Sequence, residues 1–124
     1  MADMLSTSDP ELALELGGLL AGHKAGDVTV MDMRSLNMWT DFFIVATASG
    51  SVHMQGLKRH IGEFCAGKGV EILHRRRKTQ GDDEWNLMDL GTTVVHLMTA
   101  KARSFYELER LWSEAPVIYS SKSS

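Results

Sequence analysis

Eight residues near the middle of the chain, 41–48 (DFFIVATA), place the strongest constraint on its fold. The segment is short, rich in β-branched and aromatic residues, and contains the longest apolar run of the sequence, Phe42 to Ala46. Successive side chains of a strand point to opposite sheet faces, so a run that is apolar throughout must be covered on both sides. It reads as a central strand with layers packed above and below it. Five apolar residues also fall far short of the roughly twenty that a membrane-spanning helix needs.

Signals on either side supply the layers. Residues 8–11 (SDPE) read as a helix start, in which Ser8 caps the exposed amides, Pro10 suits the first turn and Glu11 closes a capping box. Leu12, Leu16, Leu19 and Leu20 then recur at helical spacing, although Gly17, Gly18 and Gly22 weaken that helix unless it lies on a surface. Residues 27–33 (DVTVMDM) alternate in part and predict a strand. Ser51 caps the clearest amphipathic helix, with Met54, Leu57, Ile61, Phe64 and Cys65 on one stripe and Gly67 and Gly69 at its end. Residues 70–74 predict a third strand and residues 75–83 a charged loop. Residues 84–90 and 93–98 predict two further strands joined by a turn at Gly91. Residues 102–112 put Phe105, Leu108, Leu111 and Trp112 on one helical face, stopped by Pro116. A strand–helix–strand crossover followed by an antiparallel hairpin predicts an α/β chain with a mixed five-stranded sheet flanked by helices. A flexible N-terminus at 1–7, a single domain at 8–119 and a flexible tail at 120–124 are expected.

Composition excludes several classes. With 124 residues, 44% apolar and 23% charged, the chain has enough core to fold without a disulfide or metal staple. Its one cysteine cannot form an internal disulfide. The first ten residues carry Asp3 and Asp9 and no base, the wrong charge for a secretion or transit signal, so a soluble protein of a reducing, cytoplasmic compartment is expected. The net charge of −3 argues against a dedicated nucleic-acid binder. Bases nevertheless concentrate at residues 56–78, and the run Arg75, Arg76, Arg77, Lys78 reads either as a solvated loop tip or as a contact with RNA phosphate.

Candidates for catalysis are sparse. Cys65 lies on an apolar helical stripe and reads as core. The five histidines share no metal-ligand spacing, so no metal site is expected. His96 alternates with Val94 and Met98 on a strand and reads as a hydrogen-bonded histidine at a sheet edge or interface rather than a general base. Asp32, Asp41 and Asp89 stand at strand ends and Gly50-Ser51 follows a strand, as in phosphate-facing turns. Yet no acid–apolar–acid triplet is present, and Asp89 reads as a turn former. In residues 84–90, Trp85, Leu87 and Asp89 share one face and Asn86, Met88 and Leu90 the other. Trp85 after three acids suits a half-exposed strand start, where Trp with Leu or Met makes a binding hot spot; a plain core Trp fits the periodicity equally well.

Residues 83–112 (DEWNLMDLGTTVVHLMTAKARSFYELERLW) resemble the signature half of the ribosomal silencing factor, or Iojap-like, family. The matching positions are Trp85, Asp89, Gly91, Val94-Val95-His96, Arg103, Phe105-Tyr106 and Leu108-Glu109-Arg110-Leu111-Trp112. Upstream, Asp32, Thr40 to Ala46 and Ser49 to Ser51 are similar to the family's first half, so the likeness spans about residues 12–118. Two departures stand out: Thr92 where many members carry an acid, and the Arg75–Lys78 run in place of a segment that often contains Glu-Gly.

The resemblance implies a topology like that of nucleotidyltransferases without their catalytic acids, and therefore no enzyme activity and no cofactor. It implies binding to universal protein fourteen of the large ribosomal subunit, on the face that meets the small subunit, with subunit joining blocked and translation repressed. Trp85, Leu87, Met88 and Leu90 would be the apolar anchors. Asp41, Asp89, His96 and Arg103 would set polar register, with peripheral ribosomal RNA contact at Arg75, Arg76, Arg77 and Lys78. Organelle relatives imply an alternative role in large-subunit assembly. A small magnesium-dependent nucleotidyltransferase using Ser51 and Asp89 is the rival from another class. An apolar sheet surface can also self-pair, which leaves a free homodimer open.

Overall fold

A computed structural model describes residues 10–36, 40–73, 84–107, 110 and 112–121. The elements run α1 (Glu11–Gly22), β1 (Gly26–Asp32), a 3-10 turn (Arg34–Leu36), β2 (Phe42–Ala48), α2 (Ser51–Lys68), β3 (Trp85–Asp89), β4 (Thr93–Thr99), α3 (Ala100–Tyr106) and β5 (Val117–Ser120). The strands form one mixed sheet in the order β3-β4-β2-β1-β5. β2 pairs parallel to β4, while β1/β2, β3/β4 and β1/β5 are antiparallel.

β2 is central, as its apolar run requires. Phe42, Ile44, Ala46 and Ala48 face a cluster completed by Leu16 and Leu20 of α1 and Met54, Leu57, Ile61 and Cys65 of α2. Phe43 and Val45 face the opposite cluster with Met31, Met33, Val94, Met98, Ala102 and Ala115. Burial raises the Cys65 thiol above its ordinary range, consistent with a packing role. No helix among the described residues is long and apolar enough to cross a membrane.

Several expectations need correction. Residues 70–73 form no strand: Leu73 makes one isolated bridge to Asp89, and His74 lies outside the described residues. The parallel partner of β2 is therefore β4, its neighbour in the sheet, and the chain runs from β2 through α2 to the edge strand β3 before it returns as β4. The fifth strand is instead β5, beyond Pro116, which sequence reasoning treated as a stop before a polar tail. Ser121 extends this pairing: its N–H donates to Val28 O and its Oγ accepts from Val28 N–H. Finally, the helix expected over 102–112 spans Ala100–Tyr106, since Glu107 takes a left-handed backbone (φ 51°) and closes it. Thr99 starts it by accepting the Ala102 amide on its side chain, two residues earlier than the periodicity suggested. Pro10 and Gly50 are the N-caps of α1 and α2; Ser8 lies outside the described residues and Ser51 is the first helical residue.

Gly17 explains how α1 sits so close to the sheet. A Cβ there would stand 2.8 Å from Val30 Cγ2. Gly18, one residue on, has open space around it. Gly17→Ala should therefore lose about 1–3 kcal/mol of stability through overpacking, whereas Gly18→Ala should gain roughly 0.5–1 kcal/mol from helix propensity. Urea denaturation of the two variants checks this opposition of sign.

Candidate partner-docking site

β3 is an edge strand, and its two faces do different work. On the α2 side, Asn86 donates to Met54 Sδ at 2.8 Å and accepts from Lys58 Nζ at 3.3 Å, and Met88 packs against the α1–α2 cluster. These contacts fasten the strand to the body. On the other side Trp85 and Leu87 are half-buried and border the Phe43 cluster.

The indole is fixed in place. Trp85 Nε1 donates to His96 Nδ1 at 3.2 Å, which requires a lone pair on Nδ1 and hence the proton of the neutral ring on Nε2. His96, 4% exposed, packs edge-on against Phe43 with ring centroids 4.7 Å apart. Phe43 in turn meets Trp112 edge-on at 5.0 Å. A chain of three rings thus runs from the core to the half-exposed indole. Such support removes rotamer freedom before any partner arrives. His96 is hydrogen-bonded, as expected, but on the interior strand β4 rather than at a sheet edge.

The other expected contact residues are dispersed. Asp89 is 3% exposed and accepts the Gly91 amide at 2.9 Å, which makes it the turn former of the β3–β4 hairpin. Gly91 has φ 93°, a conformation open to glycine at little cost. Leu90 is 6% exposed and belongs to the α1–α2 cluster, so its apolar surface is already spent inside. Asp41 is half-buried at the same sheet end as Asp89, its amide bonded to Thr92 O. Trp85 lies four residues along β3 from Asp89, about 13 Å away. Arg103 lies across β4, on the β1–β2 side: its guanidinium donates to Thr47 Oγ1 at 2.9 Å, Thr29 Oγ1 at 3.2 Å and Gly26 O at 3.4 Å. It ties α3 to the sheet. Arg75, Arg76, Arg77 and Lys78 lie outside the described residues. Of the expected set, the structure brings together Trp85, Leu87 and His96.

The structure does not bring Ser51 and Asp89 together. Ser51 follows the β2 end that pairs with Thr99, whereas Asp89 pairs with Val94 at the other end of β4, about 17 Å of strand away. Among the described residues no group of three or more His, Cys, Asp or Glu could hold a metal ion. Asp32 is instead clamped by Arg34, whose Nε and Nη2 reach its two oxygens at 2.9 and 2.7 Å. Sequence reasoning missed this pair; the Asp-x-Arg spacing at a strand end was its signal. The hydrogen-bonded guanidinium holds the Asp32 carboxyl below the usual carboxylate range, outweighing desolvation. A pKa depressed on folding stabilises the native state above the unfolded value, about 4, and that stabilisation is lost as pH falls through the folded value. Asp32→Asn should therefore flatten part of the fall in wild-type melting temperature below about pH 4, as thermal melts from pH 6 to 2.5 would read.

A family model described as "Ribosomal silencing factor during starvation" matches residues 6–124. A relative named ribosomal silencing factor RsfS, from Treponema pallidum (strain Nichols), is 39% identical over 98 residues, 79% of this chain and 86% of its own. A crystal structure from Bacillus halodurans is similar with a TM-score of 0.71 at 28% identity, covering 90% of this chain and 99% of that one. A Mus musculus protein named mitochondrial assembly of ribosomal large subunit protein 1 is 26% identical over 99 residues, 79% of this chain and 43% of its own length. With a family model spanning nearly all of its length and close relatives bearing that name, this chain belongs to the ribosomal silencing factor family.

Proposed function

We propose that this protein binds the large ribosomal subunit through the β3 edge and, by occupying that position, keeps the small subunit from joining, so that translation is repressed. The observation that carries the reading is the partly buried Trp85 indole, held at a sheet edge by His96 in a member of the silencing factor family. Rigid, amphipathic Trp at an edge with an aliphatic neighbour has the make-up of a binding hot spot. Trp85 and Leu87 supply the apolar anchors. Asp41 stands farther along the same end of the sheet as Asp89, where it would meet basic side chains of the partner. Within the large subunit the partner is universal protein fourteen, as the family resemblance implies, with Arg75 to Lys78 contacting nearby RNA.

The mechanism is steric. A specific interface of about 800 Å² per partner suffices to hold a 13.8 kDa obstacle where the small subunit must dock. It needs no reaction step and no cofactor. Sucrose-gradient sedimentation of the purified chain with separated subunits tests it: the chain should travel with large subunits and not with small ones. Co-migration with neither would refute the reading. The name of the mouse relative favours a second role, in large-subunit assembly, which uses the same contact earlier. Accumulation on precursor rather than mature subunits in cell lysates would favour that role.

A further inference from the structure

The bond that holds the indole depends on a lone pair. An indole nitrogen can only donate, so the contact from Trp85 Nε1 exists only while His96 Nδ1 can accept. Histidine is the side chain whose charge changes between pH 5 and 8, and the imidazolium ring donates at both nitrogens. A proton taken from solvent at Nδ1 therefore sets two N–H groups against each other across 3.2 Å. The histidine is the partner that stays in place. It is 4% exposed on an interior strand, edge-on to Phe43, with Val45 and Leu87 opposite it on β2 and β3. Trp85, partly buried on the edge strand, is the partner that yields.

Ionisable groups stand on the elements around the two rings. On β3, Asp89 pairs with Val94 while Leu87 pairs with His96, so Asp89 is diagonal to the imidazole, about 7–8 Å away. Its Oδ1 accepts the Gly91 amide. Glu84, before Trp85, is exposed, as are Lys101 on α3 and Glu114 beyond Trp112. Arg103 is turned onto Thr29 and Thr47, and β2 presents Phe43 and Val45. We propose that His96 is a positioning residue that makes docking proton-sensitive: an unprotonated Nδ1 holds the indole in the pose that meets the large subunit, and protonation releases it. The resemblance implied a direct contact with the partner, but a side chain this buried has little surface to offer one. The proposal rests on the reading that the β3 edge docks through Trp85, and Trp85→Ala serves to separate the two.

Binding of the full chain to purified large subunits between pH 8 and pH 5 tests this, beside the indole N–H resonance of Trp85 in the free protein. Trp85→Phe identifies that resonance by its loss. In wild type, acidification should move the resonance and weaken binding by roughly two- to tenfold, the worth of one hydrogen bond. His96→Gln offers an amide oxygen that accepts the indole N–H at every pH in this range. It should bind within a few-fold of wild type at pH 8, with a resonance and an affinity that hold steady on acidification. His96→Leu supplies no acceptor and should bind weakly throughout. A resonance that does not move, a parallel loss of affinity in wild type and His96→Gln, or wild-type affinity in His96→Leu would each overturn the proposal, while weak binding by Trp85→Ala would keep the docking reading. If Trp85→Ala binds like wild type at pH 8, the docking reading falls and this one with it.

Discussion

Phe43→Ala should cost about 3–5 kcal/mol of folding stability, as truncation of a buried phenylalanine does in a core that cannot collapse around the gap. Phe43 is 2% exposed on the central strand, where β1 and β4 flank it on either side. Its ring touches His96 and Trp112 edge-on, so truncation removes two aromatic contacts as well as buried area. Among the described residues, Ala102 of α3, Ala115, Leu36 and Trp112 pack over this face, and truncation of the ring opens a gap beneath them. A domain of this size has roughly 5–15 kcal/mol in total, so the variant should be marginal. Urea unfolding reads the loss directly; a loss below about 1.5 kcal/mol, the range of volume-conserving swaps, would contradict this packing.

Trp85→Ala should weaken binding to the large subunit by at least about 2 kcal/mol, close to thirtyfold in Kd. The expectation follows from the support beneath the ring. An indole already held by His96 loses little rotamer freedom on docking, so more of its contact area appears as affinity. Trp85→Phe keeps most of the ring area but lacks the Nε1–H that meets His96, and should fall between the two. Equal binding by wild type and Trp85→Ala in equilibrium sedimentation would remove Trp85 from the interface.

The layered fold was legible because its strongest signals were local. The apolar run 42–46 demanded cover on both sides, and the stripe Met54, Leu57, Ile61 and Cys65 lies buried as its period required. The failures occurred where tertiary contacts decide. Val117–Ser120 has too few residues to show a strand period, and it becomes a strand because β1 offers an unpaired edge. Residues 70–73 looked equally strand-like, but only Leu73 finds a partner. The end of α3 at Glu107 has no glycine to announce a left-handed cap, and that concealed the exposure of Phe105. In the site, alternation correctly put Trp85 and Leu87 on one face. It could not show that Arg103 is turned onto Thr29 and Thr47, or that Leu90 is buried, because both depend on which elements stack across the sheet.

Subunit joining in a purified system tests the steric claim most directly. Large subunits saturated with the wild-type chain and mixed with small subunits should yield few joined particles by light scattering, whereas Trp85→Ala at the same concentration should restore joining toward the level without added protein. Full joining while the wild-type chain remains bound to the large subunit would contradict it.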